Sequence, residues 1–159
     1  MIVTNDSARA DFEKLRNTVG RVDPRELDAL WPRLPVVRVE EILGLWRGTP
    51  LETGHKRLGY LREISWFGKH FVAPMDAKPL ICHAADGSLR SEPADGGEAS
   101  LWMAEYRGEL TATMVYDRMP LLDHFKAAGP DTLLGVMNGK DTDFVSDDGH
   151  RLYFILDRA

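Results

Sequence analysis

The sequence predicts an α+β domain, an antiparallel β-barrel or strongly curved sheet with N-terminal helices packed against it. Three observations lead there. Apolar residues recur at helical spacing near the N-terminus and switch to alternation from Lys78 onward. Short polar turns such as Arg107-Gly108-Glu109 join consecutive strand candidates, which makes those strands antiparallel. The last strand, Leu152-Tyr153-Phe154-Ile155-Leu156, is apolar on both faces, so one face looks into a barrel or sheet core and the other lies against a helix. Closing the sheet into a barrel also removes its exposed edges.

In chain order, Ala8, Phe12, Leu15 and Val19 fall on one helical face, with Asn5, Asp6 or Ser7 as cap and Gly20 as stop. Asp23-Pro24-Arg25-Glu26 announces a second helix. Its aspartate caps, its proline fits the first turn, and its glutamate completes a capping box; Leu27, Leu30 and Trp31 follow before Pro32. Pro32 to Pro35 reads as a rigid connector, so residues 1–35 form a helical lead-in. Glu40 to Leu43 make a short helical turn running into a strand that begins near Gly44. Leu58, Leu61 and Ile64 or Ser65 predict one more helix within 55–66. Strands are expected at 78–83, 100–107, 110–117, 132–138 and 151–157, with a solvated acidic loop over Asp86 to Glu98 and a short strand at Ser88-Leu89-Arg90. Over 110–117, Leu110, Ala112, Met114 and Tyr116 form the apolar face and the threonines the other.

The 159 residues suit one domain, and 43% hydrophobic with 28% charged residues is the balance of a folded globular chain. A net charge of −5 offers no field to draw nucleic acid or an anionic bilayer, so neither is an expected partner, and a homodimer is left open. No apolar run is long enough to span a membrane. The single Cys82 excludes an intrachain disulfide and a cysteine-rich zinc site. With no signal-peptide pattern at the N-terminus, the expected location is cytoplasmic.

Gly44-Leu45-Trp46-Arg47-Gly48 is a GxWxG pentapeptide. Its glycines allow close approach of another backbone or ring, its indole plugs a barrel end and seeks a carbonyl, and Arg158 on the last strand is the cation expected to stack on it. Calycin-type barrels carry a comparable arrangement. The chain resembles the bacterial and fungal proteins that pair a GXWXG domain with the domain called DUF4334. The first resemblance runs from about Val39 to Leu80 and includes Thr53-Gly54-His55 and Trp66-Phe67-Gly68-Lys69-His70-Phe71, with His70 where arginine is expected. The second runs from about Leu101 to Arg158. It includes Glu105-Tyr106-Arg107-Gly108, Ala112-Thr113-Met114-Val115-Tyr116-Asp117, Pro120, Asp123-His124-Phe125 and Phe154-Ile155-Leu156-Asp157-Arg158. The resemblance implies a calycin-like fold and no settled activity. Residues 36–80 and 81–159 are read as two regions of one structural domain, since about 40 residues are marginal as a separate core.

The expected function is binding of a small hydrophobic molecule, a fatty acid, terpenoid or similar, in an apolar barrel cavity. Ligand contacts are assigned to Trp46, His55, Trp66, Lys69, Tyr106, Met114 and Tyr116. The alternative is a cofactor-independent isomerase, dehydratase or cyclase in which Asp117, Asp123 and His124 move protons. Each has a structural reading beside it: Asp117 as a cap, Asp123-His124 as turn partners, Lys69 and His70 as a solvated helix end, and the tryptophans as core. The histidines lack the spacing of a zinc site, so neither metal nor cofactor is expected, with haem of the nitrobindin kind as a lower alternative. Cys82 and His83 are adjacent on a strand, so their side chains point apart and form no dyad.

Overall fold

A computed structural model describes residues 5–140 and 146–159. Helix α1 (Asp6–Arg16) is capped by Asn5, whose side chain accepts from Ser7 N–H. Helix α2 (Pro24–Leu30) is capped by Asp23 accepting from Arg25 N–H, with Pro24 in the first turn, where a missing N–H costs nothing. A short 3-10 turn over Val39–Glu41 leads into β1 (Gly44–Pro50). Helix α3 (Leu58–Glu63) precedes β2 (Trp66–Ala73), β3 (Asp76–His83) and the three-residue β4 (Leu89–Ser91). Then come β5 (Ala99–Tyr106), β6 (Glu109–Tyr116), β7 (Leu121–Gly129) and β8 (Thr132–Gly139). The small hairpin β9 (Ser146–Asp147) and β10 (His150–Arg151) precedes β11 (Tyr153–Arg158).

The main sheet runs β2-β1-β11-β8-β7-β6-β5-β3-β4, and β2 also pairs with β3, so eight antiparallel strands curve into a ring with β4 on the outside of β3. The seam is narrow. β3 meets β5 only at Ala77 and Ala99, and further along β3 pairs with β4 instead. The tight β5–β6 hairpin has Arg107 and Gly108 both at positive φ (50° and 83°), the twist that antiparallel strands need.

Because strand side chains alternate, each strand feeds two cores. Phe71, Ala112, Met114, Phe125, Phe154 and Leu156 point into the ring. Leu134, Val136, Tyr153 and Ile155 point outward and are covered by Ala8, Phe12 and Leu15 of α1 and by Leu27, Leu30 and Trp31. This is the two-sided burial expected of the last strand. Burial of a side chain such as Phe12 stabilises the helix-on-sheet layer by about 1.5–3 kcal/mol.

Several expectations are corrected. Val19 is fully exposed, because α1 stops at Arg16, before that turn is reached. The helix expected within 55–66 is confined to Leu58–Glu63, ended by Ser65 at φ 54°, and Trp66 already belongs to a strand. Strands β2 and β7 were not expected. Leu110, expected on the apolar face of 110–117, is exposed, and the threonine face is itself buried: the segment 35–37 crosses it, with Thr111 Oγ1 donating to Phe125 O at 2.6 Å and accepting from Val37 N–H. The expected short strand at 88–90 is β4, displaced by one residue.

Candidate functional site

The GxWxG segment is β1, and each of its three marked residues has a separate job. Gly44 sits at φ 129°, where a side chain is strained and would press on the Arg158 guanidinium. Trp46 is buried, donates its indole N–H to Ile42 O at 2.8 Å, and lies under the Arg158 guanidinium at 4.2 Å from the ring centre. Arg158 also donates to the carbonyls of Leu43 and Glu41, so one side chain ties the last strand to the entry of the first. Gly48 leaves space for the Trp66 ring, which a Cβ there would overlap. Trp66 is thereby held against Phe154 in an edge-to-face contact at 5.9 Å.

Inside the ring, β2 contributes Lys69 and β7 contributes Asp123, two strands that are not neighbours in the sheet. Lys69 Nζ lies 2.9 Å from Asp123 Oδ2, with the two side chains only 3% and 2% exposed. Three rings surround the ammonium, Trp66, Tyr116 and Phe154, at 5.6, 5.7 and 5.2 Å from their centres. Such contacts compensate a cation for the water it has lost. Tyr116 O–H points at Asp123 Oδ2 at 3.4 Å. Asp123 Oδ1 is buried and has no hydrogen-bond partner among the described residues. Burial pushes the Asp123 carboxyl above the usual carboxylate range, against the opposing pull of Lys69 and then Tyr116. It also pushes the Tyr116 hydroxyl well above its ordinary value, and the Asp123 charge adds to that.

This triad stands in a cavity of about 350 Å³. Its wall is mostly carbon, from Trp66, Leu80, Met119, Leu121, Met137, Leu152 and Phe154, and its mouth is flanked by Tyr60 of α3 and by Asp95, both exposed. The volume falls in the range of about 300–1,000 Å³ usual for small-molecule sites. Gly135 makes part of the shape: a Cβ there would occupy the position of the Phe154 ring.

Of the residues singled out from the sequence, Trp66, Lys69, Tyr116 and Asp123 line this cavity. Trp46 and Met114 are in the ring core but not on the cavity wall. The remaining four are elsewhere. His124 follows Asp123 on β7 and must point outward. There it stacks on Tyr106 (4.1 Å, 8° between planes), with Nε2 3.0 Å from Asn138 Nδ2 and Nδ1 2.8 Å from Thr113 Oγ1. The Asn138 amide donates to Nε2, which puts the proton on Nδ1 and makes the ring neutral. Burial, and after it the charges of Arg151 and Arg107, lower its pKa to about 4. Tyr106 likewise packs on the outer face, edge-on to Trp31, and not in the cavity. Asp117 is exposed beyond the end of β6 and accepts from Glu98 N–H, a turn role. His55 is buried after β1 and accepts from Arg57 N–H through Nδ1, away from the cavity wall. Asp117, Asp123 and His124 therefore share no cavity; the polar side chains that Asp123 meets inside the ring are Lys69 and Tyr116.

Sequence reasoning missed Met119, Leu121, Met137, Leu152 and Phe154 as wall residues. The alternation of β8 and β11 carried part of that signal, since Met137 and Phe154 lie on the inward face with Leu133 and Leu156. Cys82 is buried and His83 exposed, the opposed directions expected of neighbours on a strand. Among the described residues no three His, Cys, Asp or Glu side chains are grouped to hold a metal ion, and no histidine is on the cavity wall to ligate a haem. No helix among the described residues is long and apolar enough to cross a membrane.

Residues 29–87 match the family model described as GXWXG protein, and residues 97–158 match the domain of unknown function DUF4334. The ring is built from both segments, with β1 of the first hydrogen-bonded to β11 of the second. The crystal structure of a protein from Thermomonospora curvata is similar, with 32% identity and a TM-score of 0.85 over 96% of this chain and 99% of that one. No curated protein matches the chain.

Proposed function

The chain belongs to the family that joins a GXWXG region to a DUF4334 region, names that state no activity, and we propose from its site that it binds a small, largely apolar molecule carrying one neutral polar group. The observation that supports this reading is Asp123, a residue of the wall of an apolar cavity of about 350 Å³, whose buried Oδ1 has no hydrogen-bond partner among the described residues. A buried acceptor without a donor costs about 1–3 kcal/mol, and a ligand hydroxyl would remove that cost. The charge balance selects the ligand class. Lys69 is already matched by Asp123, so a fatty-acid carboxylate placed at Asp123 would set a second anion beside the first and compete for the same ammonium. An alcohol of terpenoid size brings no such conflict and supplies the missing donor; a carbonyl compound is equally uncharged, but its oxygen would accept from the Lys69 ammonium in place of meeting Oδ1.

The experiment is displacement of the uncharged fluorophore N-phenylnaphthylamine by octanol and by octanoate at neutral pH. Octanol is expected to displace it and octanoate to do so far less well; equal competition, or none by either, would overturn the reading.

A second reading is favoured by the raised Asp123 carboxyl, because burial makes its protonated form easier to reach and a carboxyl in a dry site can then give and take protons. In that case the cavity would isomerise or dehydrate its ligand through Asp123, with Tyr116 as hydrogen-bond donor. Turnover of an allylic alcohol that disappears in Asp123→Asn while binding remains would support it.

A further inference from the structure

We propose that Lys69 is a covalent carbonyl-capturing residue, forming an imine with an apolar aldehyde or ketone held in the ring. The proposal rests on the binding reading above and narrows its neutral polar group to a carbonyl. Three observations carry it. Lys69 is a residue of the cavity wall, and its side chain lies inside the ring beside Asp123, which also lines the cavity, so a bound ligand lies next to it. Its side chain is 3% exposed and enclosed by Trp66, Tyr116 and Phe154, a setting in which water does not compete to hydrolyse the product. Asp123 at 2.9 Å and Tyr116 beside it supply the proton transfers that imine formation requires.

The steps balance without any oxidant or reductant. Asp123 Oδ2 takes a proton from the Lys69 ammonium, and the freed lone pair on Nζ adds to the carbonyl carbon while the C=O π pair moves to oxygen. Asp123 returns its proton to that oxygen, giving a hydroxyl, and then takes one from the nitrogen. In the last exchange it protonates the hydroxyl, which leaves as water as the nitrogen lone pair forms C=N. The sum is ammonium plus carbonyl giving protonated imine plus water. Asp123 ends as the carboxylate it began as, now paired with the iminium in place of the ammonium. A buried cation is thus exchanged for another at the same position, and the three rings and the carboxylate serve both.

Lys126 is an internal comparison. It is also buried, but it lies on the outer face of the ring, donating to Trp31 O at 3.0 Å and paired with Glu109, and it does not line the cavity that holds Lys69.

The test is trapping with sodium cyanoborohydride after adding octanal to the intact protein, followed by peptide mapping. A labelled lysine gains the mass of the aldehyde less one oxygen. Label concentrated on Lys69, absent from Lys126, and lost in Lys69→Arg is the expected result. The arginine variant keeps the positive charge beside Asp123, and its fold is checked by circular dichroism. If that variant fails to fold, competition decides: octanol present with octanal is expected to abolish labelling at Lys69 and leave the surface lysines unaffected. Label spread over surface lysines with Lys69 unmodified would overturn the proposal. Displacement of N-phenylnaphthylamine by octanol in the same preparation separates the two claims. If octanol binds and Lys69 stays unlabelled, only the covalent step falls; if neither occurs, both fall.

Discussion

Replacing Asp123 by alanine tests the most costly interaction in the ring. The substitution leaves the Lys69 ammonium inside, with its 3% exposed side chain cut off from bulk water. Removing one partner of a buried ion pair costs about 3–5 kcal/mol because the remaining charge is stranded. Trp66, Tyr116 and Phe154 still face that charge, so part of the loss is offset, and a net loss of about 2–4 kcal/mol is expected. For a chain of this size each kcal/mol moves the thermal midpoint by about 2–4 °C, so the midpoint should fall by about 5–15 °C. Urea unfolding followed by tryptophan fluorescence measures the free energy directly. The double replacement Lys69→Met with Asp123→Leu removes both charges and should lie within about 1 kcal/mol of the wild type or above it. The exposed pair Arg33–Asp11 is the control, because Asp11→Ala should cost no more than about 1 kcal/mol. If Asp123→Ala were no worse than Asp11→Ala, the claim that Lys69 and Asp123 form a desolvated pair would be wrong.

Other outcomes follow from the same geometry. Gly48→Ala drives a methyl group into the Trp66 ring and should cost about 1–3 kcal/mol, much of it recovered when Trp66 is reduced to leucine in the same chain. Arg158→Ala removes the stack on Trp46 and two carbonyl contacts; the stack alone is worth about 0.5–2 kcal/mol, and Arg158→Lys should not restore stability because an ammonium lacks the fork that reaches Leu43 and Glu41 together. Native His124 stays neutral down to about pH 4, whereas the unfolded chain binds its proton near 6.5. The unfolded state therefore holds more protons between those values, and stability should decline as pH falls through that window and level off below it. Urea midpoints of His124→Gln across the same window should show a shallower decline than the wild type; parallel curves would contradict the assignment of a buried neutral imidazole.

The fold was legible where local chemistry and tertiary environment agree. Asn5 and Asp23 cap helices for the reason their side chains allow, and the two apolar faces of the last strand meet the two cores they require. Trp46 and Arg158 were paired from the barrel's closure alone, and the structure sets them in register on β1 and β11. Strands β2 and β7 were hidden because neither alternates. β2 carries Gly68, whose missing side chain lets the Trp46 carbonyl approach, and its register with β3 shifts repeatedly. β7 buries Asp123 and Lys126 on opposite faces, where an alternation rule expects one face to be wet. Once β7 is read as a turn, Asp123 and His124 look like neighbours in a common site; as a strand it sends one into the ring and the other out. Lys69 and Asp123 come from strands that do not touch in the sheet, so no local spacing could have paired them. What sequence did carry was the chemical type, since lysine, aspartate and tyrosine within apolar strands are costly unless they meet.

The most direct measurement is a crystal structure of the protein soaked with a bromoalkanol, located by the anomalous signal of bromine. Bromine is expected inside the ring against the apolar wall near Phe154 and Leu152, with the hydroxyl within hydrogen-bond distance of Asp123 Oδ1. Bromine found only on the outer surface, with Asp123 Oδ1 still unpartnered, would contradict it.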